Sequence, residues 1–376
     1  MHPFIYMKTI RTVFGRGKLL ELPNELSKLG KSPLLIYGGK SLQASGNLKK
    51  IKRLMKEFFV HEFNGVVGEP NMDMLSKGCE IGRSGKVDCV VGVGGGSVLD
   101  LSKAIALCLG SDISPPDIFN AKIKKNPLPV LTIPTIPGSG SEMNGAAVIK
   151  VNGKKEDVIG IFPVAAILDP EISCTVPASM MYAGVSDAMV HVAELYFNSE
   201  DFSKLLCCWA EGMFNGLLCV AEEYSNHPGD IDVVGDLLVA TSLSPKLCPV
   251  AGNGIDTPEI HPLAHILAEF YDIPHRIAIG ICFSAWLAAK NESKREKFSR
   301  FEEKVLGGNV SSTISKWHSS WLHEKGLPAS LGEMKLSGGK QGELLVEALM
   351  ERQRCFSTSE FENFVDVLFN GVKVSH

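Results

Sequence analysis

Residues 87–110, VDCVVGVGGGSVLDLSKAIALCLG, constrain the fold of this chain more than any other stretch. An unbroken apolar run ends in three consecutive glycines, and a helical spacing of apolar residues starts immediately after them. A strand that is apolar on both faces has to be covered on both faces, which places it in a parallel sheet between layers of helix. SPLLIYGG (32–39), PLPVLTIPT (127–135) and AAILDP (165–170) repeat the strand pattern, and KSLQASGNLKKIKRLMKEFF (40–59) reads as a helix among them. The expected plan of this part is a doubly wound α/β layer.

From Pro177 onward the grammar changes, and proline suits the first turn of a helix. AGVSDAMVHVAELYF, KLLCCWAEGMFNGLLCVAEEY, VVGDLLVATSLS, HILAEFY, SKREKFSRFEEKVLG and GELLVEALMERQRCF all carry helical spacing, with no convincing strand between them. The segment 307–340 reads as loop plus one helix, ISKWHSSWLHEKG. A chain of 376 residues exceeds what one core usually serves, so two domains are expected, 1–176 α/β and 177–376 all-helical. The net charge of −4 argues against nucleic acid or an anionic membrane as a partner. No stretch approaches eighteen uninterrupted apolar residues, so no membrane span is expected. MHPFIYMKTIRTVFGRGK lacks the apolar core and cleavage site of a secretory signal. The ten cysteines form no C-x-x-C and sit mostly in apolar runs, as buried thiols of a cytoplasmic protein would.

Three Gly/Ser turns follow strands: YGGKS (37–41), GVGGGS (92–97) and PTIPGSGSE (134–142). Any one of them serves a tight α/β turn for steric reasons alone. Three at strand ends fall along one sheet edge, where glycine lets a backbone approach a phosphate and a helix N-terminus supplies N–H donors. Together they point to a dinucleotide. The acidic residue that would hold an NAD ribose after the first strand is missing; Gly38, Gly39, Lys40 and Ser41 stand there, which favours NADP(H) over NAD(H).

HPLAHILAEFYDIPH (261–275) carries His261, His265 and His275, and GVSDAMVHVAELYF (184–197) carries Asp187 and His191 four residues apart on one helical face. Taken singly these are ordinary helix histidines and an ordinary i, i+4 pair. One carboxylate with three imidazoles is a donor set for Zn²⁺ or Fe²⁺ that leaves a position open for substrate.

GGGSVLDLSKAIA, PTIPGSGSE, ILDPE, GVSDAMVHVAE and HPLAHILAEFYDIPH, in this order, resemble the iron-containing (group III) alcohol dehydrogenase family over nearly the whole chain. YGGKS, SEMNGAAVI and NESKREKFSRFEEKVLG look most like its NADPH-dependent butanol dehydrogenase and aldehyde reductase branch. The resemblance implies an N-terminal Rossmann-like α/β domain with a parallel sheet, an all-α C-terminal domain, and an active site in the cleft between them. It implies one divalent metal, Fe²⁺ or Zn²⁺, on Asp187, His191, His261 and His275, with His265 beside it as a catalytic proton relay. Gly94, Gly95, Gly96 and Ser97 would cradle the pyrophosphate, and Asp100, Lys103, Thr135 and Ser139 would lie near the nicotinamide half. Gly38, Gly39 and Ser41 would surround the 2′-phosphate. The implied activity is NADP(H)-dependent hydride transfer between small aldehydes and primary alcohols, in a cytoplasmic homodimer. Polyol or hydroxy-acid dehydrogenases on this scaffold, a lyase of the dehydroquinate synthase type and a non-catalytic relative are the alternatives. The chain departs from the family's pattern at Arg276, where glycine or alanine is common after the last metal histidine, and at SPPDIF (114–119), Pro137 and Pro262.

Overall fold

The structure, a computed structural model, describes residues 10–120, 126–198, 204–244, 258–308, 313–336, 339–351 and 355–372. Eight strands occur among them: β1 (Arg11–Phe14), β2 (Pro33–Gly38), β3 (His61–Val66), β4 (Cys89–Gly94), β5 (Val130–Pro134), β6 (Ala146–Val151), β7 (Lys154–Ile159) and β8 (Ala165–Leu168). Six form one sheet in the order β1-β8-β5-β4-β2-β3, and every neighbouring pair in it is parallel. The period of two divides each central strand between two cores. Leu34 and Ile36 pack on one side with Val90 and the helix Gly96–Gly110; Leu35 and Tyr37 pack on the other with Val91, Val93, Leu131 and Ile133. Both sheet faces are covered, as the apolar runs require. β6 and β7 form a separate antiparallel hairpin that turns through Asn152 and Gly153, both at positive φ.

The described residues fall into two compact units. One holds Met7–Pro177 and Glu222–Lys246; the other holds Ala178–Ala221 and Leu247–His376. The helix Ile231–Leu243 therefore belongs with the sheet. It packs on the short helix Pro170–Ser173 and on β8, and Ser242 Oγ donates to Glu142 in the turn after β5 at 2.5 Å. The second unit consists of helices among the described residues: Ala178–Asn198, most of Lys204–Asn226, Ile260–Tyr271, His275–Ala289, Arg295–Lys304, Ile314–Glu324, Gly339–Met350 and Thr358–Asn370. His275–Ala289 is its central helix, packed on four others. Gly280 permits the approach to Ala178–Asn198, since a Cβ there would sit 3.1 Å from Ser186 Oγ.

By length and composition alone, Lys204–Asn226 could cross a membrane. Its buried Glu211 instead accepts from Tyr196 Oη at 2.8 Å and from Arg300 Nε at 2.6 Å, which ties it into the helical unit. The described cysteines are free thiols; Cys248 lies outside the described residues.

Candidate metal centre and cofactor loops

In the α/β unit, β2, β4 and β5 are adjacent and parallel, so the turns YGGKS, GVGGGS and PTIPGSGSE lie along one edge at their carboxyl ends. From β2 the chain runs outward to β3 and then crosses back to β4 on the other side of β2, which makes the edge between β2 and β4 a topological switch point, the usual ligand site of open α/β sheets. Gly94 closes β4. A Cβ there would lie 2.5 Å from Val98 Cγ2, so only glycine lets the following helix begin so close to its strand. Gly95 is the N-cap of that helix without a side-chain cap, and Gly95, Gly96 and Ser97 are partly exposed, a first turn suited to a phosphate. Thr135 N donates to Gly94 O at 3.0 Å, and Ser139 Oγ lies 2.6 Å from where a Cβ on Gly96 would stand, so these two turns are packed together. Gly38 ends β2, Gly39 follows at φ +74°, and Ser41 opens the short helix Ser41–Ala44.

Asp100 and Lys103 spend their polar atoms on the protein itself. Asp100 accepts from Ser141 Oγ at 2.5 Å and from Val148 N at 3.2 Å, and its carboxylate lies 3.2 Å from Lys103 Nζ. Lys103 is fully buried and donates to Ser141 O at 3.1 Å, to Asn144 Oδ1 at 3.2 Å and to Ala146 O. Both residues brace the turn after β5 from within the fold.

The helical unit gathers Asp187, His191 and His261, whose donor atoms all lie within 4.8 Å of one another. Asp187 and His191 come from successive turns of Ala178–Asn198, and His261 from the first turn of Ile260–Tyr271. Asp187 Oδ1 is 3.8 Å from His191 Nε2 and 3.7 Å from His261 Nε2. Two ligands bonded at about 2.0–2.2 Å to one tetrahedral ion stand roughly 3.3–3.6 Å apart, so a small contraction brings this set onto a cation. Asp187 Oδ1 and His261 Nε2 are enclosed and make no hydrogen bond. Two orphaned polar atoms in a buried site, each about 1–3 kcal/mol unfavourable, are what a bound cation would satisfy. The residues fit a divalent metal. His275 opens the helix His275–Ala289 with its ring 5.8 Å from that of His261, just beyond the tight trio. The His265 ring lies 4.7 Å from that of His275 and 6.5 Å from that of His261.

Glu194 is the participant that motif reading missed. One carboxylate oxygen accepts from Ile260 N at 2.7 Å and His261 N at 2.9 Å; the other meets His261 Nδ1 at 2.6 Å. It thus caps a neighbouring helix and orients the His261 ring at once. A carboxylate only accepts, so Nδ1 carries the proton and Nε2 is turned toward Asp187. The signal was present in the sequence: Asp187, His191 and Glu194 stand at i, i+4 and i+7, one helix face.

Burial pushes the His191 ring down to about 4, with His261 acting in the same direction, so its lone pair is available at neutral pH. Burial also opposes charge on His261, but Glu194 and Asp187 outweigh it and raise the ring to about 10. Burial disfavours ionised Asp187 and Glu194 as well, yet the surrounding histidines hold both carboxyls below their usual range. A cation entering at neutral pH must therefore expel a proton from His261.

Comparison with known proteins agrees with both halves of this picture. A profile for iron-containing alcohol dehydrogenase matches residues 9–170, and one for the C-terminal part of the Fe-containing alcohol dehydrogenase family matches residues 180–331. The chain is 30% identical over 358 residues to NADH-dependent butanol dehydrogenase B of Clostridium acetobutylicum, covering 90% of this chain and 91% of that one. It is 28% identical to the NADPH-dependent aldehyde reductase YqhD of Escherichia coli, covering 92% of each. The crystal structure of NADH-dependent butanol dehydrogenase A from Thermotoga maritima superposes with a TM-score of 0.87 at 26% identity, covering 98% of each chain.

Proposed function

The chain belongs to the iron-containing alcohol dehydrogenase family, and from that membership we propose that it interconverts small aldehydes and primary alcohols by hydride transfer with NADP(H). The observation that carries the reading is the partly buried trio Asp187, His191 and His261 with Glu194 behind it. A bound divalent cation supplies Lewis-acid polarisation of the carbonyl oxygen, and the reduced nicotinamide supplies the hydride. Each unit contributes one part of that chemistry. In the helical unit Asp187, His191, His261 and His275 are the residues assigned to the cation, and Glu194 keeps His261 in the coordinating tautomer. In the α/β unit Gly94, Gly95, Gly96 and Ser97 take the pyrophosphate, with Thr135 and Ser139 packed beside them. Asp100 and Lys103 hold the third turn in place. His265, one turn beyond His261, delivers the proton that the reduced carbonyl oxygen takes up. Metal analysis of the purified protein, joined to NADPH- and NADH-oxidation assays on short aldehydes, tests the whole reading; a protein with neither bound metal nor turnover would overturn it. The proposal includes a cytoplasmic homodimer, which sedimentation and fractionation address.

For His265→Phe the expected outcome is retained metal, a fall in kcat of about 10²–10⁴-fold and an altered pH profile, the size of a lost general acid–base. Loss of the metal instead would make His265 a ligand.

The NADP(H) preference rests on the turn after β2. NADH is the second reading, favoured by relatives that are NADH-dependent butanol dehydrogenases. An acidic side chain at position 39 would repel a 2′-phosphate; glycine does not. Ser41 offers a hydroxyl and Lys40 a positive charge on the same turn. A Cβ on Gly39 would meet nothing closer than Ser41 Oγ at 3.5 Å, and aspartate is among the side chains that best tolerate positive φ. Gly39→Asp is therefore expected to shift the kcat/KM ratio toward NADH by about one to two powers of ten, the worth of a charge-assisted contact. An NADH preference already present in the unaltered protein would show that this turn does not select the cofactor.

A further inference from the structure

Arg276 is the charged residue of the helical unit that its surroundings do least to explain. It sits in the first turn of His275–Ala289, next to His275. A cation there opposes the positive end of the helix dipole, which favours anions. That helix has no side-chain cap and no acidic residue in its first turn. Arg276 Nη1 is enclosed, yet it makes no hydrogen bond among the described residues. Arg276 as a whole is only partly buried, but a guanidinium cannot shed its proton, so an enclosed N–H with no acceptor is a standing cost. Burial weakens its hold on the proton, and the charge that opposes this effect is that of Asp187, which places the side chain within the field of the metal cluster. Both buried carboxylates of that cluster have other work: Glu194 serves His261, and Asp187 faces His191 and His261. Wrong-sign helix position, enclosed unpaired donor and neighbouring metal site all call for one missing component, an anionic group from outside the protein.

We infer that Arg276 recognises a carboxylate on the substrate, so that the preferred substrates are short oxo acids rather than uncharged aldehydes. The inference rests on the reading above that the carbonyl compound is bound at the Asp187, His191 and His261 cluster. The reaction remains a balanced hydride transfer. The nicotinamide hydride forms a C–H bond at the carbonyl carbon, the C=O π bond opens, and its oxygen takes one proton. The products are a hydroxy acid and oxidised nicotinamide. The carboxylate is unchanged and serves as the handle, its two oxygens matching the guanidinium fork.

The test uses the metal-loaded full chain and four-carbon probes, the length suggested by the butanol dehydrogenase relatives. Binding of 4-hydroxybutyrate and of 1,4-butanediol, measured by calorimetry, compares a carboxylate with its uncharged counterpart independently of turnover. Tighter binding of the hydroxy acid by about 10- to 100-fold is expected, and the difference should vanish in Arg276→Ala. Arg276→Lys, which keeps charge and bulk, should retain part of it and guards against a misfolded alanine variant. The ratio of kcat/KM for 4-oxobutanoate over butanal should fall by a similar factor in Arg276→Ala. Equal binding of the two probes overturns the inference, as does an Arg276→Ala variant that loses affinity for NADPH while keeping its preference for the carboxylate. If neither aldehyde is reduced, the proposed activity fails, while the binding comparison still decides the role of Arg276.

Discussion

His261→Ala should yield a folded protein that retains no stoichiometric divalent metal and shows no hydride transfer. His261 is the hinge of the cluster. Its Nδ1 is committed to Glu194 at 2.6 Å, and its Nε2 has no hydrogen bond and faces Asp187. Removing the ring leaves Asp187 with His191 alone from the tight trio, too few donors for a structural affinity. Folding should survive, since Ile260 and the rest of that helix keep their buried packing and the Ile260 amide keeps Glu194. Elemental analysis after dialysis, with circular dichroism as the folding control, is the measurement; full metal occupancy in the variant would remove His261 from the site. Glu194→Gln is the milder companion. It keeps the shape and loses the charge that sets the tautomer, and metal affinity should weaken about 10–100-fold. In the unaltered protein His261 is held protonated up to about 10, so metal binding at neutral pH releases its proton. The sign follows: apparent affinity rises with pH, by about tenfold per unit while one proton is displaced. A flat profile would show that His261 is already neutral.

The largest stability effect is expected at Lys103. It is fully buried, pairs with Asp100 and donates to two backbone carbonyls and the Asn144 side chain around the turn after β5. Lys103→Met preserves much of the volume but strands a carboxylate and several acceptors. Breaking a buried pair from one side costs about 3–5 kcal/mol. At about 2–4 °C per kcal/mol for a unit of this size, the melting temperature should fall by roughly 6–20 °C. Cofactor affinity should fall with it, because the braced turn carries Ser139 against Gly96. The double variant Asp100→Asn, Lys103→Met should lose less than the sum of the single changes, since each partner's charge is then no longer abandoned. A melting temperature within about 2 °C of the unaltered protein for Lys103→Met would show that the pair carries no weight.

How much of this was legible beforehand depends on burial. β2, β4, β5 and β8 read directly from sequence because strands covered on both faces are continuous apolar runs. β1 and β3 did not, because they are the sheet's edges and their exposed, polar residues carry no such run. The β6–β7 hairpin has a local signal, Asn152-Gly153 at a two-residue turn, but the polar, mostly exposed residues of β7 carry no apolar run to go with it. The helix Ile231–Leu243 was recognisable as a helix, but nothing in its periodicity told which unit it would join. It is apolar over much of its circumference, and which neighbour covers it is a tertiary matter.

The candidate site divides along the same line. Spacing along a helix is local, so Asp187 with His191, and His261 with His265, could be paired from sequence. Bringing the first pair to the second requires two helices to pack, and that packing made a trio of Asp187, His191 and His261 and left the His275 ring 5.8 Å from that of His261. It also turned Glu194, an ordinary helix residue in sequence, into the partner of a neighbouring helix's backbone and ring. Arg276 was visible as an unusual letter, but its enclosed and unpartnered Nη1 was not. Residue type and spacing decide which donors a chain owns. Only the assembled fold decides which of them lose water together, and it is that shared loss of solvent which makes a hydrogen bond, a cation or a substrate charge necessary.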